Sequence, residues 1–279
     1  MKIFITYGDD NFKDSVKRIC KEAKLLGIFD KVISYNPKKL PKEIMQSPLM
    51  CYKRGGGYWL WKPYIIWKTM QKYPNAIVVY TDAGCTLNKN YEEWNSWFEI
   101  MESTDTLFTQ YCSDTDYGWD KIFHTSSVKI STWTKRMTIE YFDKRFKSTE
   151  WYDYNKIWGG FVIAKNNSSF IREWLDIMLT HPELVRDPEG DELNCQHDGF
   201  CTHRHDQSII TPLAYWYEKK TIGIVKIIPE TAESCNTAAA VVATRIRTAV
   251  IKMPIKTRII RFIQLIIGKS FYKKLHFWK

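Results

Sequence analysis

Hydrophobic and polar positions along the chain alternate between a strand-like and a helix-like period. Lys2–Thr6 carries Ile3, Phe4 and Ile5 and breaks at Tyr7-Gly8-Asp9-Asp10, which predicts a strand ending in a turn. Phe12, Val16, Ile19, Ala23 and Leu26 then recur at helical spacing up to Gly27, and Val32-Ile33 begins a short second strand. Past Pro63 the apolar residues of 64–70 predict another helix. Ala76–Tyr80 is an unbroken apolar run, the pattern of a central strand covered on both faces. Residues 158–164 read as a further buried strand, and a helix follows over 168–179 with Ser168 or Ser169 as its cap. Another helix starts near Asp206, and 223–228 closes the sheet. The rhythm is β-α-β throughout, without internal repeats, and predicts an α/β fold.

Charge divides the chain in two. Of 279 residues, 41 are Lys or Arg and 31 are Asp or Glu, a formal net charge of +10. The last acidic residue is Glu233; ten cations follow it, so residues 1–233 hold 31 of each sign and are neutral. Between about Thr244 and Gly268 the cations interleave with Ile246, Val250, Ile251, Ile255, Ile259, Ile263 and Ile266 at helical spacing. This predicts a basic amphipathic helix, or two joined at Pro254. Such a segment suits an anionic membrane surface; its alternative is a helix docked on the body. A neutral body without a recognisable binding motif argues against nucleic acid as the partner. The pattern separates a domain over 1–235 from a helical tail over 236–279. The 7 cysteines are scattered and form no CxxC pair, no apolar run approaches the ~18 residues of a membrane span, and a cytoplasmic, reducing setting is expected.

Three segments carry candidate chemistry. In Arg54-Gly55-Gly56-Gly57-Tyr58-Trp59-Leu60-Trp61-Lys62-Pro63, glycines permit close backbone approach, Arg54 and Lys62 offer cations to phosphate, and the aromatics offer stacking faces. The alternative is a flexible turn beside a Trp-rich core patch. Asp82 follows the central strand between small residues, where a ligand or metal can reach it. Cys195, His197, Cys201, His203 and His205 are close in sequence, but the two cysteines stand too far apart for a structural zinc site. Asp206-Gln207-Ser208 opens a helix, with Asp206 either capping it or facing a ligand.

In this order, a β-α-β half, an apolar strand ending in Asp82-Ala83-Gly84, the Gly159-Gly160 strand and His205-Asp206-Gln207 resemble GT-A-type nucleotide-sugar glycosyltransferases. The segments 54–63 and 80–85 and the phrase Thr132-Trp133-Thr134-Lys135-Arg136 also resemble uncharacterised bacterial polysaccharide-locus glycosyltransferases. The resemblance implies a GT-A-like (Rossmann-like) mixed sheet flanked by helices, and transfer of a sugar from a nucleotide diphosphate sugar to a glycan or lipid-linked glycan hydroxyl. By resemblance Tyr7 holds the nucleoside base, and Asp82 and Gly84 stand at the diphosphate with a divalent cation, Mn2+ or Mg2+. The family's DxD keeps only its first acid here, which leaves either a second metal ligand such as His203 or, by preference, His205, or cations such as Arg54 and Lys62 that neutralise part of the phosphate charge. Gly159 and Gly160 face the transferred sugar. Asp206 and Gln207 are the expected catalytic pair, and the Asp-Gln pairing resembles enzymes that retain anomeric configuration. Trp119, Trp133, Trp151 and Trp158 are either acceptor platforms or core. The enzyme would work at the inner face of the cell membrane. Alternatives are a catalytically silent nucleotide- or glycan-binding protein, or a nucleotidyltransferase on the same scaffold.

Overall fold

The computed structural model describes residues 1–165, 168–221, 223–233 and 236–246. Its strands are β1 (Lys2–Tyr7), β2 (Lys31–Tyr35), β3 (Ile77–Thr81), β4 (Thr86–Leu87), β5 (Thr106–Gln110), β6 (Phe161–Ala164), β7 (Val225–Pro229) and β8 (Val241–Val242). Six of them form one mixed sheet in the order β2-β1-β3-β6-β5-β7. β1 runs parallel to both β2 and β3, with Ile5 opposite Ile33 on one side and Tyr80 on the other. β6 is antiparallel to β3 and to β5, and β7 is parallel to β5. The expected α/β class, a mixed sheet flanked by helices, is what folds.

Side-chain alternation feeds two cores. Ile3, Ile5, Val78, Tyr80, Val162 and Ala164 face one layer, where they meet the helices Trp61–Lys72, Ser169–Thr180 and Asp206–Lys220 through Ile65, Ile66, Trp174, Ile209 and Leu213. Phe4, Val79, Phe161 and Ile163 face the other, against Ile19 and Leu26 of the helix Lys13–Leu26 and Trp94, Trp97 and Met101 of the helix Tyr91–Ser103. The apolar run of β3 is therefore buried on both sides, as its pattern requires. Gly27, at φ 70°, ends the first helix and returns its N–H to the Lys24 carbonyl. Ser168 stands at the start of its helix but does not cap it; its hydroxyl instead shares a buried 2.6 Å hydrogen bond with that of Thr106, at the start of β5.

The chain stays with the body beyond residue 235. β8 pairs antiparallel with β4, and Ala239, Ala240 and Val241 are buried. The expected amphipathic stretch lies, from residue 247 on, outside the described residues.

The glycine-rich segment forms a left-handed helical turn. Gly55, Gly56, Gly57, Tyr58 and Trp59 have φ of 59, 58, 96, 49 and 62° in succession. The Tyr58 N–H donates to the Arg54 carbonyl at 2.8 Å and the Trp59 N–H to that of Gly55 at 3.3 Å. L-residues lose roughly 1–2 kcal/mol each in this hand, so three glycines remove most of the cost. At Gly57 space is also closed: a Cβ would lie 2.3 Å from Met50 Sδ and 3.1 Å from Met50 Cα. Gly57→Ala is expected to lower stability by about 3 kcal/mol, from left-handed strain plus overpacking. Gly118→Ala, at φ 66° with nothing within 4 Å, should lose only about 1 kcal/mol. Urea unfolding of the two variants measures the difference.

Candidate active site

In the sheet order the chain leaving β1 goes to β2 on one side, while the chain leaving β3 reaches β5 on the other, so a crevice opens beyond the carboxyl ends of β1 and β3. A pocket of about 690 Å³ fills it. Tyr7, Asp9 and Asn11 line it from the end of β1, Tyr80, Asp82 and Gly84 from the end of β3, and Lys53, Gly55, Trp59 and Trp61 from the left-handed turn. Glu233 and Arg245 complete the wall. Tyr7 and Trp61 stack at 3.9 Å between centroids and 14° between planes. Burial, then Asp9, raises the Tyr7 hydroxyl to about 12, so it stays protonated.

A buried ion bridge abuts this pocket. Lys62, second residue of its helix and 2% exposed, places Nζ 2.6 Å from Asp206 Oδ2, 2.8 Å from the Gly159 carbonyl and 3.8 Å from Asp82 Oδ1. Burial alone would lower the Lys62 pKa, but Asp206 and then Asp82 hold it above its ordinary value, so the ammonium is charged. Asp206, first residue of the helix Asp206–Lys220, uses its other oxygen to accept the Gln207 N–H at 2.9 Å. Beside it the Gln207 Oε1 is buried without a hydrogen-bond partner. Both side chains bear on Gly159, where a Cβ would come within 3.1 Å of Gln207 Cγ and 3.3 Å of Asp206 Oδ2. The Gly160 carbonyl accepts the Asp82 N–H at 2.9 Å.

Of the expected residues, Tyr7, Asp82 and Gly84 line the pocket; Lys62, Gly159, Gly160, Asp206 and Gln207 do not line it but are joined to Asp82 through Lys62 and the Gly160 carbonyl, and two others point elsewhere. Arg54 does not line the pocket; its guanidinium meets Asp187 at 3.1 Å. His205 does not line it either. Its Nδ1 contacts the Val185 carbonyl at 3.0 Å, its ring packs on Tyr58 and Trp59, and Nε2 lies 3.7 Å from Asp187. Trp133 and Trp151 are core, and Trp119 and Trp133, with Tyr111, enclose the buried Lys156 Nζ at 4.1–4.5 Å from their ring centroids. Of the four tryptophans offered as platforms, Trp158 lines the pocket.

The residues present do not build the two-acid metal cradle that the resemblance implies. One oxygen of Asp82 accepts the Tyr80 hydroxyl and faces Lys62. The second acidic position is Gly84, and Glu233, the other carboxylate in this part of the wall, is paired with Arg245 at 2.8 Å. Among the described residues no three His, Cys, Asp or Glu side chains come together as a metal site.

No family model and no curated protein sequence matches the chain. Solved structures resemble it at low identity. Mouse xyloside xylosyltransferase 1, in its apo form, is 11% identical over 82% of this chain and 85% of its own, with a TM-score of 0.43. A glycosyltransferase involved in glycosylation of the major capsid of PBCV-1 is 8% identical over 86% and 92%, with a TM-score of 0.45. The galactosyltransferase LgtC, in complex with donor and acceptor sugar analogues, is 10% identical over 81% and 73%, with a TM-score of 0.38.

Burial pushes His205 down from 6.5 to about 4, and burial likewise drives His203 well below its ordinary range. The unfolded chain therefore takes up protons that the folded chain refuses, and stability falls as pH drops from 6.5 toward 4. His205 alone accounts for about 2 kcal/mol lost between pH 7.5 and pH 5. Denaturant unfolding of wild type and His205→Gln across that range is expected to show a shallower acid slope in the variant.

Proposed function

We propose that the protein is a glycosyltransferase that moves a sugar from a nucleoside diphosphate sugar to a hydroxyl of a glycan. The observation that carries this reading is the join between the switch-point pocket and the Asp82–Lys62–Asp206 bridge. A pocket with stacked aromatic faces and fixed charges suits a nucleotide, and Asp82 on its wall is tied through Lys62 to a buried carboxylate beside an unpartnered amide oxygen.

In this reading the base packs against the Tyr7 and Trp61 faces, and the diphosphate lies along Asp82-Ala83-Gly84. The donor sugar lies over Gly159, where the lack of a side chain leaves it room beside Asp206 and Gln207. The bond from the anomeric carbon to the diphosphate oxygen breaks, and its electrons leave with the phosphate. A bond from the acceptor oxygen to that carbon forms, and the acceptor proton passes to the departing phosphate. Positive charge on the sugar ring rises in between, and the fixed carboxylate of Asp206 stabilises it. Both Asp206 oxygens are already engaged, one by Lys62 and one by the Gln207 amide. That makes Asp206 a charge stabiliser rather than a deprotonating base, which supports retention of configuration. In this reading the buried, unpartnered Gln207 Oε1 accepts a hydroxyl of the sugar.

The acceptor we propose is a lipid-linked glycan at the inner face of the cell membrane, reached through the nine cations and no anion beyond Ile246. Removing residues 247–279 is expected to abolish sedimentation with anionic vesicles while leaving nucleotide binding intact.

Thermal unfolding with UDP-, GDP-, dTDP- and CMP-sugars tests the central reading, since a ligand that binds only the native state raises the melting temperature. One diphosphate sugar is expected to do so. Asp206→Asn should bind it within a few-fold of wild type yet lose about a hundredfold or more in turnover. Wild-type turnover in Asp206→Asn would remove Asp206 from the reaction.

A further inference from the structure

On the reading of the site as a nucleotide-sugar pocket, we infer that the donor's diphosphate is neutralised by the guanidinium of Arg245 instead of a divalent cation held by an acidic pair. The inference begins at Gly84, where the second acid of such a pair would stand. The backbone of residues 244–246 is laid against it. A Cβ on Gly84 would lie 3.4 Å from Arg245 Cα and 3.9 Å from the Ile246 nitrogen. The Gly84 carbonyl accepts from Thr244 Oγ1 at 2.9 Å and from the Ile246 N–H at 3.1 Å. The missing carboxylate has thus been replaced by a strap of chain, and the strap delivers a cation to the same wall.

Arg245 is fixed at its backbone and free at its head. Its φ of 54° is a left-handed value, held by the bonds on either side of it and by Ser15 Oγ, which donates to the Ile246 carbonyl at 2.9 Å. Its side chain is 75% exposed, and among the described residues its ion-pair partner is Glu233, 11% exposed. A phosphate arriving in the pocket competes with Glu233 for this exposed guanidinium. Lys53, on the wall formed by the glycine turn, has no ion-pair partner among the described residues and offers a second cation. Asp82, already held by Lys62 and the Tyr80 hydroxyl, is left to orient the site. Arginine suits the task because its planar fork matches two phosphate oxygens at once.

The test is calorimetric titration of the full-length protein with UDP, GDP, CDP and dTDP, in EDTA and again in MnCl2, with the matching monophosphate as a control. One diphosphate is expected to bind in EDTA within about threefold of its affinity in manganese. Arg245→Ala should weaken that binding at least about tenfold, the loss of a charge-assisted bond, while affecting the monophosphate far less. Arg245→Lys should recover part of it. Glu233→Gln, which removes the competing carboxylate, should tighten it, and thermal unfolding of each variant verifies that the fold is kept. Binding that requires manganese, or Arg245→Ala binding as tightly as wild type, would overturn this inference and leave the glycosyltransferase reading standing. Failure of every nucleoside diphosphate to bind in either buffer would overturn both.

Discussion

A single buried ammonium holds the site together. Lys62 reaches Asp206, Asp82 and the Gly159 carbonyl, and so ties the start of one helix to the end of β3, the approach to β6 and the start of another helix. Burying either charge alone costs several kcal/mol, and only the joint burial with a hydrogen-bonded partner offsets it. The bridge is therefore weak evidence for stability and strong evidence for position. It fixes the distance between the carboxylate that faces the pocket and the carboxylate beneath it. The left-handed turn supplies the geometry: the Trp61 indole donates to the Gly55 carbonyl and the Lys62 N–H to that of Trp59, so consecutive residues serve opposite ends of the site. Trp61 stacks on Tyr7 in the pocket while Lys62 enters the core.

Apart from Lys53 and Asp9, the charged side chains that line or back the pocket are paired before any ligand arrives. Asp82 and Asp206 share Lys62, Glu233 has Arg245, and Asp187 has Arg54. The difference among them is exposure. Lys62 is sealed, and no ligand can draw it away without stranding two acids. Arg245 projects from a strap on the pocket rim, and its partner is the more buried of the two. A polyanion that enters meets the exposed member first, which is the arrangement expected of a surface meant to exchange one anion for another.

Much of the framework was legible because burial writes itself into local pattern. β3 and β6, covered on both faces, are continuous apolar runs, and the helix Lys13–Leu26 shows its stripe and its terminal glycine. β5 was not read, because Thr106, Thr109 and Gln110 look like loop residues until β6 and β7 enclose them. Asp82, Tyr7 and Asp206 were legible as residues at strand and helix ends, where a sheet of this kind gathers ligands. The pairing of Lys62 with Asp206 was not, since 144 positions separate them and nothing local marks it. Arg54 misled for a related reason: charge and neighbouring glycines suggested phosphate, but the hand of the turn sends it to Asp187. Arg245 falls with the tail because composition cannot distinguish a solvated cation from one held at a pocket wall by backbone bonds on either side of it.

Backbone strain in the fold is unevenly placed. Seven non-glycine residues among those described have positive φ: Tyr58, Trp59, Asn75, His124, Lys147, His205 and Arg245. His124 and Lys147 end helices, where the left-handed conformation is ordinary, and Asn is a residue that tolerates it. The other four surround the pocket and the bridge behind it. Tyr58 and Trp59 complete the left-handed turn, His205, at ψ −113°, stands immediately before Asp206, and Arg245 crosses Gly84. Each is held by contacts made elsewhere: Tyr58 by Asp187, His205 by the Val185 carbonyl and two aromatic rings, Arg245 by the hydrogen bonds of its strap. Such conformations cost of order 1–3 kcal/mol apiece and persist only where the surroundings over-determine them. Their concentration at one place means that the fold spends stability to fix the directions of Lys62, Asp206 and Arg245 in advance. On the proposed glycosyl-transfer reading that rigidity has a use, since electrostatic stabilisation of a breaking bond is largest where no dipole has to reorient.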